Sequence, residues 1–263
     1  MSGLQATAES VSLLEPLAPY PRKEIEADGR SIVIYQVFYD PASKLLLQPE
    51  YNPYFNRRLT RYVENSVITD LIESGRHIDC DFFGVFSWRF HLKIPVGPSE
   101  ILGAMKKDGF SSDVYSFFDS QKIQSPQIWN QTDYFHPGAL KIARRIFEYL
   151  ELRLAPEEVH STKIYENHFL CRPELYQRYY EELLKPCMDL MENGADPELS
   201  ELLMQDANYR RRSALALTDD EKISIFGRPY FTFHPFICER LFSTWLHLNP
   251  SVKVSQIASP KQT

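Results

Sequence analysis

The run "SIVIYQVFYD", Ser31 to Asp40, restricts the fold more than any other stretch of this chain. Apolar side chains occupy both alternating faces from Ile32 to Phe38, so a strand here must be covered on each side. A sheet with helices packed on both faces meets that demand. The covering helices are written into the sequence that follows. "RRLTRYVENSVITDLIESG" places Leu59, Tyr62, Val63, Val67, Leu71 and Ile72 on one stripe and stops at Gly75, predicting a helix over 57–74.

The alternation continues along the chain. "FFGVFSWRF" reads as a second strand, Ser99 caps a short helix from Glu100 to Lys107, and "DVYSFF" reads as a third strand. "PGALKIARRIFEYLEL" predicts a helix over 137–152. A strand near "KIYENHFL" comes next, then a helix opened by Pro173 that Pro186 should kink or split. "PYFTF" reads as a last strand leading into "HPFICERLFSTWLHL". Together these argue an α/β fold, a mostly parallel central sheet with helices on both faces. The expected boundaries are a flexible leader over 1–28, a single domain over 29–250 and a tail over 251–263. In the closing helix Ile237, Cys238, Leu241, Phe242, Trp245 and Leu246 fill one half of the wheel, and Arg240, Ser243, Thr244 and His247 the other. The expectation is a half-buried helix with Glu239 on its border. Pro235 suits its first position, with His234 just outside.

Composition serves here to exclude. A chain of 263 residues buries a core without staples, and a net charge of -6 with no basic stripe argues against a nucleic-acid partner. Cys80, Cys171, Cys187 and Cys238 stand far apart with no C-x-x-C, which indicates reduced, buried thiols. No basic leader with a long apolar run is present, and no apolar stretch approaches the ~20 residues that span a bilayer, so a cytoplasmic protein without a transmembrane segment is expected. G-x-G-x-x-G after the first strand, the P-loop, G-x-S-x-G and H-E-x-x-H are all missing.

In open α/β sheets ligands lie outside the carboxyl ends of the strands, and that rule sorts the polar residues. Asp40 follows the first strand, Trp88 and Arg89 end the second, Asp119 follows the third and His234 follows the last. Asp79 and Asp81 form an Asp-x-Asp but precede their strand, which puts them at the opposite edge. Asn167 and His168 in "YENHF" read equally well as a hydrogen-bonded core pair or as site residues. Arg210 to Arg212 read as a solvated excursion or a lid.

In order and spacing, "IYQVFYD", "DFFGVFSWRFHLK", "DVYSFF", the tryptophan and "HPG" that follow, "NHFLCRPELYQRYYEELLKP" and "HPFICERLFSTWL" together resemble a bacterial group of glycosyltransferase-like proteins from surface and capsular polysaccharide loci. The resemblance covers roughly residues 31 to 248. It implies a nucleotide-sugar transferase of glycosyltransferase A type, with the donor across the carboxyl ends of the first strands. Tyr39, Asp40, Trp88, Arg89, Lys93, Asn167 and His168 are then the expected donor-binding set, Arg89 and Lys93 being the cations beside the diphosphate. Asp119 and His234 would hold Mn²⁺ or Mg²⁺, and Glu239 and His234 would serve catalysis, Glu239 as the base. The implied partners are the nucleotide-sugar donor and a glycan or lipid-linked acceptor, with peripheral association at the inner face of the cell membrane. The chain lacks a well-placed Asp-x-Asp, which keeps open a second reading: a non-catalytic nucleotide- or carbohydrate-binding member of a biosynthetic complex.

Overall fold

The computed structural model of the protein describes residues 22–57, 59–118, 124–160, 164–194, 196–209 and 217–258. Strand β1 (Ile25–Ala27) turns through Asp28 and Gly29 into β2 (Arg30–Phe38), the apolar run from which the fold is built. One edge of β2 is shared: β1 pairs antiparallel with its first three residues, and β3 (Asn52–Phe55) pairs parallel with Tyr35 to Phe38. The other edge pairs parallel with β4 (Phe82–Ser87). β5 (Val114–Phe118) lies two places further on, because β6 (Phe169–Cys171) inserts antiparallel between β4 and β5. β7 (Val254–Ala258) closes the far edge, parallel to β5. Among the described residues this is an open, mixed sheet of seven strands, in the order β1-β2-β4-β6-β5-β7 with β3 beside β2. The α/β class is as expected. The sheet is mixed, where the sequence reading had it mostly parallel.

Side-chain alternation divides the interior in two. Val33, Tyr35, Phe83, Val85, Val114 and Phe169 point into one core, and Ile32, Ile34, Phe82, Phe86, Tyr115 and Leu170 into the other. The second core is covered by α3 (Phe90–Lys93) and α4 (Pro98–Lys107), through Phe90, Ile101 and Met105. The short α1 (Pro41–Lys44) follows β2. The first core carries far more helix: α2 (Glu64–Glu73), α5 (Ile128–Phe135), α6 (Ala139–Tyr149), α7 (Pro173–Tyr179), α8 (Lys185–Asn193) and α9 (Pro197–Leu203). α10 (Asp219–Phe226) contributes Phe226, and α11 (His234–Leu248) lies deepest of all. Both cores therefore have helical cover, as the unbroken apolar run of β2 requires. All four cysteines are unpaired.

Several expectations are corrected in detail. α2 starts at Glu64 and not near residue 57, because Val63 adopts φ 52°, a conformation that costs a β-branched residue on the order of 1–3 kcal/mol and cannot sit inside a helix. Pro186 causes no break: a π-helical turn over Tyr180–Leu184 joins α7 to α8 just before it and absorbs the irregularity that a proline imposes. The stretch "PYFTF" forms no strand. Its backbone bonds go to α9 and the chain beyond it, Phe233 N–H to the Leu203 carbonyl and Ala207 N–H to the Phe231 carbonyl, each at 3.0 Å. Two segments placed outside the expected domain belong to the sheet, Ile25–Ala27 as β1 and Val254–Ala258 as β7. Both are short edge strands, too brief to show a period.

α11 is also more buried than its wheel implied. Arg240, Ser243 and Thr244 are buried along with the apolar half, because this polar face meets polar partners and not water. Arg240 Nε donates to Thr132 Oγ1 at 2.8 Å, Ser243 Oγ to the Ile164 carbonyl at 2.8 Å, and Trp129 Nε1 to Thr244 Oγ1 at 3.1 Å.

Candidate functional site

Five strands, β2, β3, β4, β5 and β7, run one way, so their carboxyl ends share an edge of the sheet. β6 runs against them and brings the residues before it, Tyr165 to His168, to that same edge. The cleft lies there. Its larger chamber, about 340 Å³, is bounded by Phe117 and Phe118 at the end of β5, by Lys93 at the end of α3, by Glu166 and His168, and by Glu239 and Arg240 of α11. A smaller chamber, about 70 Å³, lies by the ends of β2 and β4, against Tyr39, Glu64, Ser87, Trp88 and Arg89. Glu239, Tyr209 and Phe236 line both.

Charge is arranged around Lys93. Its ammonium pairs with Glu166, and although burial works against its charge, Glu166, Glu239 and Glu64 hold its pKa above the ordinary lysine value. Burial would lift the Glu166 carboxyl, but Lys93, His168 and Arg240 outweigh it and lower it to about 2. Its side chain keeps 35% of its exposure, so it remains open to the chamber. Glu239 goes the other way. Burial raises its pKa, Arg240 at 2.9 Å only partly offsets this, and the negative Glu166 adds to the rise, to about 7. Glu64 is likewise raised by burial. Two carboxyl groups of one cavity thus separate into an ionised one and one that exchanges its proton near neutral pH. Arg89 lies over the Trp88 ring, its guanidinium carbon 5.7 Å from the centroid, and makes no ion pair among the described residues.

No protein-family model and no curated protein matches this chain.

Of the residues singled out in the sequence, Tyr39, Trp88, Arg89, Lys93, His168 and Glu239 come together at the cleft. Asp79 and Asp81 lie at the opposite edge, before β4, where Asp81 accepts from Arg30 at 2.7 Å and from the Ser31 N–H at 2.9 Å. Three others go elsewhere. Asp40 is exposed and spent on a capping box, accepting from Ser43 N–H at 2.7 Å at the start of α1. Asn167 donates to Asn65 Oδ1 at 3.0 Å as a buried pair, the core alternative. His234 is 1% exposed, the first residue of α11, bonded at 2.9 Å to Thr232 Oγ1 and edge-on to Tyr62. Its expected place at the cleft depends on "PYFTF" being a strand that ends at the carboxyl edge, and without that strand the inference lapses. Burial, with Arg61 nearby, lowers its pKa to about 3. A ring closed in the core, with Nδ1 bonded to Thr232 and away from both chambers, does not fit a metal ligand's place or a catalyst's. Asp119 lies outside the described residues. Among the described residues no group of three or more His, Cys, Asp or Glu is placed to hold a metal ion. None of their helices is long and apolar enough to cross a membrane.

Sequence reasoning missed Glu64, Glu166 and the role of Arg240. Glu166 carried a usable signal, a carboxylate between Tyr165 and Asn167 in a stretch read as strand, where charge needs a partner or a purpose.

Proposed function

We propose that the protein is a glycosyltransferase, moving a sugar from a nucleotide-sugar donor to a glycan or lipid-linked acceptor in surface polysaccharide synthesis at the cytoplasmic side of the membrane. The observation that carries this reading is Glu239, a carboxyl group beside Arg240 that lines both chambers at the carboxyl edge of an α/β sheet, with burial raising its pKa to about 7. Glycosyl transfer needs a base that takes the acceptor's hydroxyl proton as the new C–O bond forms, and a base works best with a pKa near the working pH. It also needs positive charge beside the departing diphosphate as the donor's C–O bond breaks. Arg89, over the Trp88 ring and without a carboxylate partner among the described ion pairs, would supply that charge together with Lys93, which lines the large chamber with Glu239. The order of sequence motifs supports the same reading.

The test is thermal-shift screening of the chain against UDP- and GDP-sugars with and without Mn²⁺ or Mg²⁺, followed by turnover of whichever donor binds. Binding plus turnover that falls at least a hundredfold in Glu239→Gln is expected. Turnover unchanged in that variant, or no nucleotide sugar bound, would remove the proposal. The non-catalytic reading draws on one observation, that Lys93 and Arg240 are already tied to Glu166 and Glu239. It predicts nucleotide binding indifferent to Mn²⁺ and no turnover.

A further inference from the structure

Across the ends of two strands lies a second constellation, which shares only His168 with the expected donor-binding set. Ser87 Oγ, on the last residue of β4, is 3.4 Å from His168 Nε2, and His168 Nδ1 is 3.4 Å from Glu166 Oε2. Hydroxyl, imidazole and carboxylate in that sequence are the parts of an activated nucleophile, and such contacts are commonly loose before substrate binds. The imidazole is fixed. It is 4% exposed, edge-on to Phe90 at 5.0 Å and to Phe86 at 6.3 Å, and its backbone carbonyl accepts from Phe117 N–H at 3.0 Å.

The chambers divide the three residues in a way that bears on substrate. Ser87 lines the small chamber, while His168 and Glu166 line the large one. About 70 Å³ is the share of roughly two water molecules, enough for an acetyl-sized group, and Val63, Trp88, Phe231 and Pro235 offer its methyl an apolar wall. Arg89 in the same chamber is the cation available to an oxyanion. The large chamber mixes aromatic rings with Gln131, Asn208 and charged groups, a lining suited to a hydroxylated, carbohydrate-sized alcohol.

We propose that Ser87, His168 and Glu166 form a hydrolytic site for small O-acyl esters, with the acyl group in the small chamber and the alcohol in the large one. Ser87 Oγ bonds to the carbonyl carbon as His168 Nε2 takes its proton. Collapse of the adduct breaks the bond to the alcohol oxygen, which receives that proton from His168 and leaves by the chamber that His168 lines. Water then attacks the acyl-Ser87 ester, passing a proton through His168 back to Ser87 Oγ, and the carboxylic acid departs. Glu166 is a positioning residue: with substrate bound it would take the Nδ1–H across the 3.4 Å that now separates them, so that Nε2, facing Ser87, carries the lone pair that acts as base.

The experiment uses the whole chain, needs no nucleotide sugar and so stands or falls apart from glycosyl transfer. The protein is exposed to a fluorophosphonate probe and its peptides are mapped by mass spectrometry, and p-nitrophenyl acetate and octanoate are offered as substrates. Expected are a label on Ser87, hydrolysis of the acetate with little of the octanoate, and a loss of roughly a thousandfold in Ser87→Ala at unchanged melting temperature. Glu166→Gln should lower kcat with KM kept, and Glu166→Asp should recover part of it. No label on Ser87 in the wild-type protein overturns the proposal whether or not any variant folds, and acetate hydrolysis unchanged in Ser87→Ala overturns it equally.

Discussion

Arg240 Nη1 and Glu239 Oε2, on adjacent residues of α11, lie 2.9 Å apart. Neighbouring positions on a helix point about 100° away from each other, so this pair meets only because both long side chains bend into the same space, the large chamber. The remaining bonds of Arg240 go to Thr132 Oγ1 at 2.8 Å and to the Tyr165 carbonyl. The guanidinium is a joint between α11, α5 and the chain entering β6.

Removing that joint should cost more than a surface ion pair. Arg240→Met leaves the Glu239 carboxyl and the Tyr165 carbonyl without their partner, and we expect a loss of about 3–5 kcal/mol. Arg240→Lys should recover only part, since a point charge cannot serve three acceptors in a fixed fork. Urea denaturation measures both, and an unchanged midpoint for the Met variant would mean that these bonds are idle.

Glu239 sets a pH dependence whose sign is fixed by its raised pKa. Between 4.5, its ordinary value, and about 7 the native state keeps a proton that the unfolded chain gives up. This group therefore makes stability fall as pH rises across that window. Glu239→Gln should flatten the slope, so that the gap between the wild-type and variant curves changes between pH 4.5 and about 7 and stays constant below and above that window. Parallel curves throughout would place Glu239 in ordinary solvent.

His234 has the opposite sign. Its folded value of about 3 lies below the ordinary 6.5, so its contribution is complete above pH 6.5 and is lost as pH falls toward 3. His234→Gln should be less stable than wild type by about 1–2 kcal/mol at pH 7, through lost packing, yet show a shallower acid limb. Ligand binding at the cleft should be unaffected at neutral pH. A variant that folds normally but loses binding would return His234 to the site.

Gly84 governs how closely β6 approaches β4. A Cβ there would stand 2.6 Å from Leu170 Cδ2 and 2.8 Å from the Phe169 carbonyl oxygen, and the second of these cannot swing aside. Gly84→Ala should cost about 1–3 kcal/mol and push β6 outward. Because Glu166 and His168 precede β6, the Lys93–Glu166 pair should loosen with it, visible as a shift of the Glu166 carboxyl signal on NMR titration. A variant as stable as wild type with that signal unmoved would show that β6 yields freely.

What the sequence disclosed follows from the range of the forces involved. The apolar run of β2, the stripes of α2 and α6 and the apolar half of α11 are local patterns, and all four elements exist. The reversal of β6 left no local mark, since Phe169 to Cys171 would read the same in either direction. "PYFTF" has strand composition but spends its backbone bonds on α9, a choice made by tertiary packing. At the site, Tyr39, Trp88, Arg89 and Lys93 were legible because they follow strands correctly identified. Glu166 was not, because its charge is intelligible only beside Lys93, 73 positions away, and the burial of Arg240 was not, because the hydroxyl that receives its Nε–H is on Thr132, 108 positions away.

Those separations have a bearing on the order in which the molecule comes into being. A contact across 108 positions rewards the chain only after a large loop has closed, and the Arg240–Thr132 and Lys93–Glu166 contacts at the cleft are both of this long-range kind. The sheet edge near β2 and β4 can settle while α11 is still undocked, but the larger chamber then has no back wall and Glu166 lacks the Arg240 that helps keep it ionised. Competence to bind should accordingly appear in the last kinetic phase of refolding, and a ligand of the large chamber should speed no step before it.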